Sequence, residues 1–276
     1  MSDVEQMMKK LSELGPDFMT VTYGAGGGTR GKTQQLVDYI ANELSMLAVA
    51  HLTCVGHSRA QIDEILDSLK SRGISRVLAL RGDPPKGETS FSAHPEGFAN
   101  ARELTSHIAE RGDFEIAVAG YPEPHPEANS AEEALAYLKE KVTAGAGLVM
   151  TQLFFDADFY FKFCEDLNKL GLKVPIIPGV MPISNVKQLK RFTAMCGASI
   201  PQRITEELSA LDSEREVTEY GIKEAERLAA ELLDGGAPGV HFYTLNKSKQ
   251  IQPIVEALKS RGYFAERGSA RLAEQG

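Results

Sequence analysis

Residues 48–81, AVAHLTCVGHSRAQIDEILDSLKSRGISRVLALR, decide the fold. The stretch opens on 48–54 and closes on 76–81, two short runs that are nearly continuous in apolar character. Such runs read as strands covered on both faces, since a strand with one wet face alternates apolar and polar side chains. Between them Ile62, Ile65, Leu66 and Leu69 recur at helical spacing over 60–72, and Gly73 supplies the stop. A strand, a helix and a second strand make a crossover unit, whose strands run parallel with a right-handed connection.

The same alternation extends in both directions. Further strands are expected at 17–23 (DFMTVTY), 114–120 (FEIAVAG), 148–154 (LVMTQLF), 174–180 (VPIIPGV) and 239–245 (GVHFYTL). Helices are expected at 4–14 (Val4, Met7, Met8, Leu11 and Leu14), at 34–44, at 131–144 behind a capping box of Ser130 with Glu133, and at 249–260. Two or more helices fill 184–233, and the small, charged tail 265–276 is expected to fray. The pattern leaves two architectures open, a closed barrel and an open doubly wound sheet. The strand count is seven, and the chain begins with a helix, so a barrel of eight strands lacks its first. No linker or repeat divides residues 1–276, which are read as one domain.

Composition narrows the function. Of 276 residues, 42% are hydrophobic and 25% charged, as in an ordinary globular protein. A net charge of −8 argues against a nucleic-acid surface, which needs clustered Lys and Arg. No apolar run reaches the ~18 residues of a membrane span, and the N-terminus has no secretory apolar region. Cys54, Cys164 and Cys196 are far apart and form neither a disulfide framework nor a metal pattern, which fits a reducing cytoplasm.

Polar residues gather where the strands end, the place where parallel α/β folds build sites. They are Thr22 and Tyr23; His51, Thr53 and His57; Arg81, Gly82 and Asp83; Tyr121 through Glu127; Thr151 and Gln152; and Tyr243 through Lys247. Any one has a bland reading: a core histidine, a rigid proline turn, a turn aspartate. Gln152 is harder to dismiss, because a buried amide needs partners. Six such groups at the same end of six strands point to a site. A rival reading lies in GGGTRGKT, 26–33, which satisfies the phosphate-loop pattern G-x-x-x-x-G-K-S/T. There Lys32 would reach a terminal phosphate and Thr33 would hold Mg²⁺ in an NTPase. The bland alternative is a glycine-rich turn, and no apolar strand ends directly in a magnesium-binding Asp.

Taken in order, VTYGAGGGTRGKT, AHLTCVGHS, LALRGDPP, AGYPEPHPEA, TQLFFD, IIPGVMPI and HFYTLNKS resemble the methylenetetrahydrofolate reductase family from about residue 4 to 260. The resemblance implies a flavin-containing (β/α)₈ TIM barrel, of which this chain shows seven strands. It implies that NADH or NADPH reduces FAD, which passes hydride to 5,10-methylenetetrahydrofolate to give 5-methyltetrahydrofolate. It further implies ping-pong kinetics on one flavin face and a homo-oligomer. By the same resemblance Thr22, Tyr23, Ala25, His51, Arg81, Gly82, Phe98, Ala99, Tyr121, His125, Ala128 and Lys141 hold FAD. Asp83 sits beside the flavin ring, tunes its reactivity and contacts the folate. Gln152 contacts folate and nicotinamide in turn, and Lys247 contacts substrate.

The sequence departs from the family at several points. Ala134, Tyr137 and Glu140 stand where the helix beside the adenine often carries Asp, Asn and Arg, and Phe98 stands where a Tyr is usual. The family's first strand, with its Phe-Glu-Phe-Phe-Pro-Pro type segment and general-acid Glu, has no counterpart; Glu5 and Glu13 lie on the first helix and do not replace it. The expectation is a start placed downstream of that strand, with folate reduction slowed by the ~10²–10⁴-fold worth of general acid catalysis. A flavin-binding paralogue with little folate activity is the alternative.

Overall fold

The computed structural model describes residues 2–23, 30–84, 87 and 91–264. Ala25, Gly26 and the tail 265–276 lie outside them, as do the side chains of residues 30–32. Among the described residues there are seven strands: β1 (Phe18–Val21), β2 (Leu47–Thr53), β3 (Arg76–Leu80), β4 (Glu115–Gly120), β5 (Leu148–Leu153), β6 (Ile176–Val180) and β7 (His241–Phe242). Between and around them run α1 (Asp3–Ser12), α2 (Arg30–Asp38, widening to a π-type turn over Tyr39–Glu43), α3 (Arg59–Ser71), α4 (Ala101–Arg111) and α5 (Ala131–Thr143). The second half adds α6 (Ala157–Lys169), α7 (Val186–Cys196), α8 (Gln202–Ser209), α9 (Glu214–Asp234) and α10 (Ser248–Ser260).

The strand order settles the architecture. All pairs are parallel and the order is β1 to β7 without a break, from Phe18 opposite Leu47 to Val180 opposite Phe242. A doubly wound sheet reverses its order at a switch point; this one never does. The sheet also curls until its two outermost strands meet by side chain. The Phe18 ring stacks on His241 with centroids 6.2 Å apart, and Thr20 Oγ1 lies 3.2 Å from His241 Nε2. The fold is therefore of the α/β TIM-barrel type.

Alternation within each strand divides the core. Along β2, Ala50 and Leu52 face the helices, followed by Cys54, while Val49, His51 and Thr53 point to the barrel interior. The floor of that interior is apolar: Val49, Leu78, Ala117 and Met150, with Phe18, Leu80 and Leu148 against them. Outside, Ile62, Leu66 and Leu69 of α3 and Leu104 and Ile108 of α4 pack on Val77 and Ala79. A second cluster joins Phe154, Tyr160 and Val180 to Leu228 and Ala229 of α9 and Ile254 and Leu258 of α10. No helix among the described residues is long and apolar enough to cross a membrane.

Two local expectations are corrected. The last strand is shorter than 239–245: only Gly179–His241 and Val180–Phe242 pair, and Tyr243 N–H adds one bond to Val180 O at 2.9 Å. Leu245 and Asn246 then take φ of 47° and 60°, a left-handed turn that ends extended chain. At α5, Ser130 Oγ accepts from Glu133 N–H at 3.1 Å, but the Glu133 carboxylate accepts from Asn129 N–H at 2.8 Å. The capping box is thus half formed. The complete boxes are at Ser2 with Glu5, Ser58 with Gln61, and Ser213 with Glu216.

Candidate active site

Above the apolar floor the barrel opens into a cavity of about 920 Å³ at the C-terminal ends of the strands. That is the upper part of the ~300–1,000 Å³ range of ligand pockets. It gathers residues that are far apart in sequence: Thr22 and Tyr23 after β1, His51 and Thr53 of β2, Arg81–Asp83 after β3, Ala99, Tyr121, His125 and Ala128 around β4, Lys141 of α5, and Gln152 of β5. Lys247 is not on its wall; the Lys247 ammonium donates to Ser184 Oγ at 3.3 Å, just beyond the wall residue Leu245. The Phe98 side chain is fully buried away from the cavity, beneath the Arg59 guanidinium at 4.4 Å and beside the His107 ring.

The turn after β3 shows why the local sequence is Arg-Gly-Asp. Gly82 has φ of +89°, and a Cβ there would lie 2.6 Å from Val55 Cγ1 and 3.0 Å from Thr53 Cβ. Glycine lets the chain turn tightly against the end of β2, so Arg81 and Asp83 both reach the cavity. The Arg81 guanidinium lies 5.1 Å from the Phe91 ring centroid and is held by both oxygens of Glu127, one at 2.9 Å. This pairing holds the Glu127 carboxyl below its ordinary range. Glu127 N–H donates to His125 Nδ1 at 3.1 Å, so the proton of the neutral ring is on Nε2. Burial lowers the His125 pKa, and its ring meets Tyr121 edge to face at 4.9 Å. Burial, with the charge of Asp83 second, pushes the Tyr121 phenol up to about 12.

Lys141 is the unusual charge. It is 5% exposed, and its ammonium donates to Ala119 O at 2.5 Å. No carboxylate among the described residues lies within ion-pair distance. Burial lowers its pKa to about 8. Three further polar atoms on the wall, His51 Nε2, Thr53 Oγ1 and His241 Nδ1, are buried without a hydrogen-bond partner among the described residues. Burial, reinforced by the neighbouring His241, drops the His51 pKa to about 3, and His241 falls to about 4 by burial alone. Gln152 Oε1 accepts from Leu153 N–H at 2.9 Å. This fixes the amide with its NH₂ as the end that has no protein partner among the described residues. Tyr243 O–H donates to Thr151 O at 2.8 Å, closing the wall between β5 and β7.

The wall also contains residues that the strand-end reading missed. Phe192, Met195 and Cys196 come from the C-terminal end of α7. Met195 is 62% exposed, unusual for a large apolar side chain, and stands at the mouth. The sequence signal was present but weak: a Met two residues before Gly197, which caps α7 with φ of 76°. As for the phosphate-loop reading, the Thr33 hydroxyl it reserves for Mg²⁺ is buried and donates to Thr22 O at 3.2 Å. That bond ties the start of α2 to the end of β1. Cys54, just after β2, is buried, with its thiol donated to Arg81 O at 3.2 Å and its pKa pushed up to about 11 by burial. Such a thiol is unsuited to nucleophilic work.

The sequence profile described as methylenetetrahydrofolate reductase matches residues 2–259. The 5,10-methylenetetrahydrofolate reductase of Escherichia coli (strain K12) is 37% identical over 265 residues, covering 94% of this chain and 88% of that one. This chain belongs to the methylenetetrahydrofolate reductase family. Methylenetetrahydrofolate reductase (NADH) 1 of Zea mays is 42% identical over 267 residues, 91% of this chain. The chain spans about half the length of such plant relatives, 45% in that case. Among solved structures, 2,3-dimethylmalate lyase, a PEP mutase/isocitrate lyase superfamily member, has a TM-score of 0.54 at 12% identity, covering 99% of this chain and 84% of that one. A Clostridium thermocellum protein that binds two copies of 5-methyl-5,6,7,8-tetrahydrofolic acid has a TM-score of 0.52 at 17% identity, covering 93% and 99%. At such identities these two likenesses speak to the fold alone.

Two of the departures from the reductase family pattern, Ala134 and Tyr137, fall on the cavity wall. Glu140 does not; its carboxylate turns to Arg102 of α4 at 3.6 Å.

Proposed function

We propose that this chain reduces 5,10-methylenetetrahydrofolate to 5-methyltetrahydrofolate, using FAD and either NADH or NADPH. The observation that carries the reading is Lys141, a buried ammonium without a counter-charge on the wall of a large cavity. A buried cation is costly unless paired, so this position favours an anionic ligand. A cofactor phosphate meets that requirement. His51 Nε2 and Thr53 Oγ1, unpartnered and buried on the same wall, fit the polar body of such a cofactor. When bound, FAD supplies hydride-transfer chemistry that no side chain offers.

The same reading gives the chain's own groups their roles. Lys141 and Arg81 receive phosphate, Arg81 by sharing or exchanging Glu127. Tyr121 stays protonated at neutral pH and, with His125, forms a neutral wall. Gln152 presents NH₂ to a ring oxygen or nitrogen of whichever partner is bound. Asp83, exposed at the mouth, places negative charge where a cationic folate intermediate is stabilised. Lys247, beyond the wall, reaches an acidic substrate tail.

Titration of the purified chain with FAD, followed by flavin fluorescence, tests it directly. Saturable binding is expected, then bleaching of the visible flavin band by NADH or NADPH without air, and its return on adding 5,10-methylenetetrahydrofolate. A chain that takes up no flavin ends the proposal.

A further inference from the structure

The proline-rich strap after β4 holds the end of α7 by one carboxylate. In Tyr121-Pro122-Glu123-Pro124-His125-Pro126 every second residue is proline. Each proline fixes its own φ and pushes the residue before it into extended backbone, so the whole strap is stiff. Tyr121 and His125 line the cavity; Glu123 does not. Its Oε2 instead accepts from Ser199 N–H at 2.9 Å, in the segment that follows α7. Its Oε1 is buried with no hydrogen-bond partner among the described residues. The end of α7 lies directly on the strap: a Cβ on its capping Gly197 would be 3.0 Å from Pro126 Cγ and 3.3 Å from Pro124 O. This hold matters because α7 is lightly seated. Of its 11 residues only Leu189 and Thr193 are buried, whereas α3 buries Ile62, Ile65, Leu66 and Leu69.

From this we infer that Glu123 is a positioning residue: it fixes the last turn of α7, and with it Phe192, Met195 and Cys196, at the mouth of the cavity. A wall at the mouth is felt by the ligand that enters and leaves in every turnover, and far less by a cofactor anchored at Arg81 and Lys141. Glu123 therefore acts on substrate affinity without touching the substrate. The inference rests on the reductase reading above only for the identity of that ligand.

Two measurements on the full chain test it. Peptide mass spectrometry gives the rates at which iodoacetamide alkylates Cys196 and Cys164 without ligand, and steady-state assays with FAD bound give KM and kcat for 5,10-methylenetetrahydrofolate. Glu123→Ala is expected to speed Cys196 alkylation about tenfold or more by local opening, while Cys164, equally half-buried but on α6, stays within about twofold. KM should rise about tenfold with kcat and FAD affinity within about threefold, the mark of lost uniform binding. Burial first, and the charge of Glu123 after it, raise the Cys196 pKa. Glu123→Gln is therefore the control, since it removes the charge and keeps an oxygen for Ser199 N–H; it is expected to stay within about threefold of wild type throughout. Glu123→Leu, which fills the space without an acceptor, should match Glu123→Ala and serves where that variant does not fold. Cys196 and Cys164 rates rising together would mean general loosening and overturn the inference. So would an unchanged Cys196 rate or KM in Glu123→Ala and Glu123→Leu, or damage in Glu123→Gln as large as in Glu123→Ala. If the wild-type chain takes up no flavin, the reductase proposal fails and the cysteine rates alone decide this one.

Discussion

Lys141 shows how a single residue can be costly to the fold and useful to the site. Its folded-state pKa of about 8 lies below the ordinary 10.5. The folded chain therefore releases its proton more easily than the unfolded chain. Below pH 8 both states carry the charge and the folded state bears the full burial penalty. Between pH 8 and 10.5 the penalty is relieved, so this residue makes stability rise with pH. The size is about 3 kcal/mol. Lys141→Met, of similar length and no charge, should make the ligand-free protein more stable at pH 7 by up to that amount. Its advantage over wild type should shrink toward pH 10 in urea denaturation. The same variant should bind FAD at least tenfold more weakly. A variant less stable than wild type at pH 7 would show that the ammonium is not an unpaired burden. At this scale the sequence was legible where a polar residue ended an apolar run, as with Arg81, Tyr121 and Gln152. It spoke only weakly for Phe192, Met195 and Cys196, because a helix that reaches the cavity by its last turn leaves no mark in strand periodicity.

Elements are seated by close approach as much as by apolar area. Gly221, inside α9, has no room for a side chain: an added Cβ would lie 1.8 Å from Ile183 O and 2.6 Å from Ile183 C. The obstacle is backbone, in the segment leading from β6 to α7, so it does not yield by a rotamer change. Gly221→Ala is expected to cost about 3 kcal/mol or more through displacement of α9, read as a lower urea midpoint. Loss of the α7 wall should accompany it, because Ile183 and Val217 share a cluster with Leu189 of α7. A midpoint within about 0.5 kcal/mol of wild type would contradict this packing. The helix was visible in the sequence only as part of a long stretch, 184–233, that divides into three. Nothing in the local sequence marks its internal glycine as required, since the contact that demands it is with Ile183, nearly 40 positions away in a different turn. Strands were better placed than helices, because continuous apolar runs are short and bounded by polar ends. The exception is β7, where Leu245 and Asn246 turn left-handed and end a run that composition alone would continue.

At the scale of the molecule, the barrel interior is layered. An apolar floor lies below, and above it a polar layer in which His51 neighbours His241 and Thr20 reaches across to β7. Sequence order gave the barrel its strand succession, yet the meeting of Phe18 and Thr20 with His241, more than 200 residues apart, arises only when the sheet curls. That meeting makes the whole fold sensitive to acid. Both imidazoles have folded pKa values, about 3 and about 4, below the ordinary 6.5. The unfolded chain therefore takes up protons first as pH falls. Their contribution to stability is complete above pH 6.5 and is lost progressively down to about pH 4 for His241 and about 3 for His51. Each imidazole is worth on the order of 2 kcal/mol, with part of the effect screened by water in the cavity. The other groups facing this layer, Thr20, Tyr243 and Thr151, do not ionise in that range, so the histidines dominate the interior's response. The ligand-free protein should lose urea stability steeply between pH 6.5 and 4. In a His51→Gln/His241→Gln double variant the slope over that window should be shallower, even if the variant starts from a lower stability at pH 7. Parallel slopes for the two proteins would place the acid sensitivity elsewhere, in the carboxylates that pair with Arg81, Arg111 and Arg203.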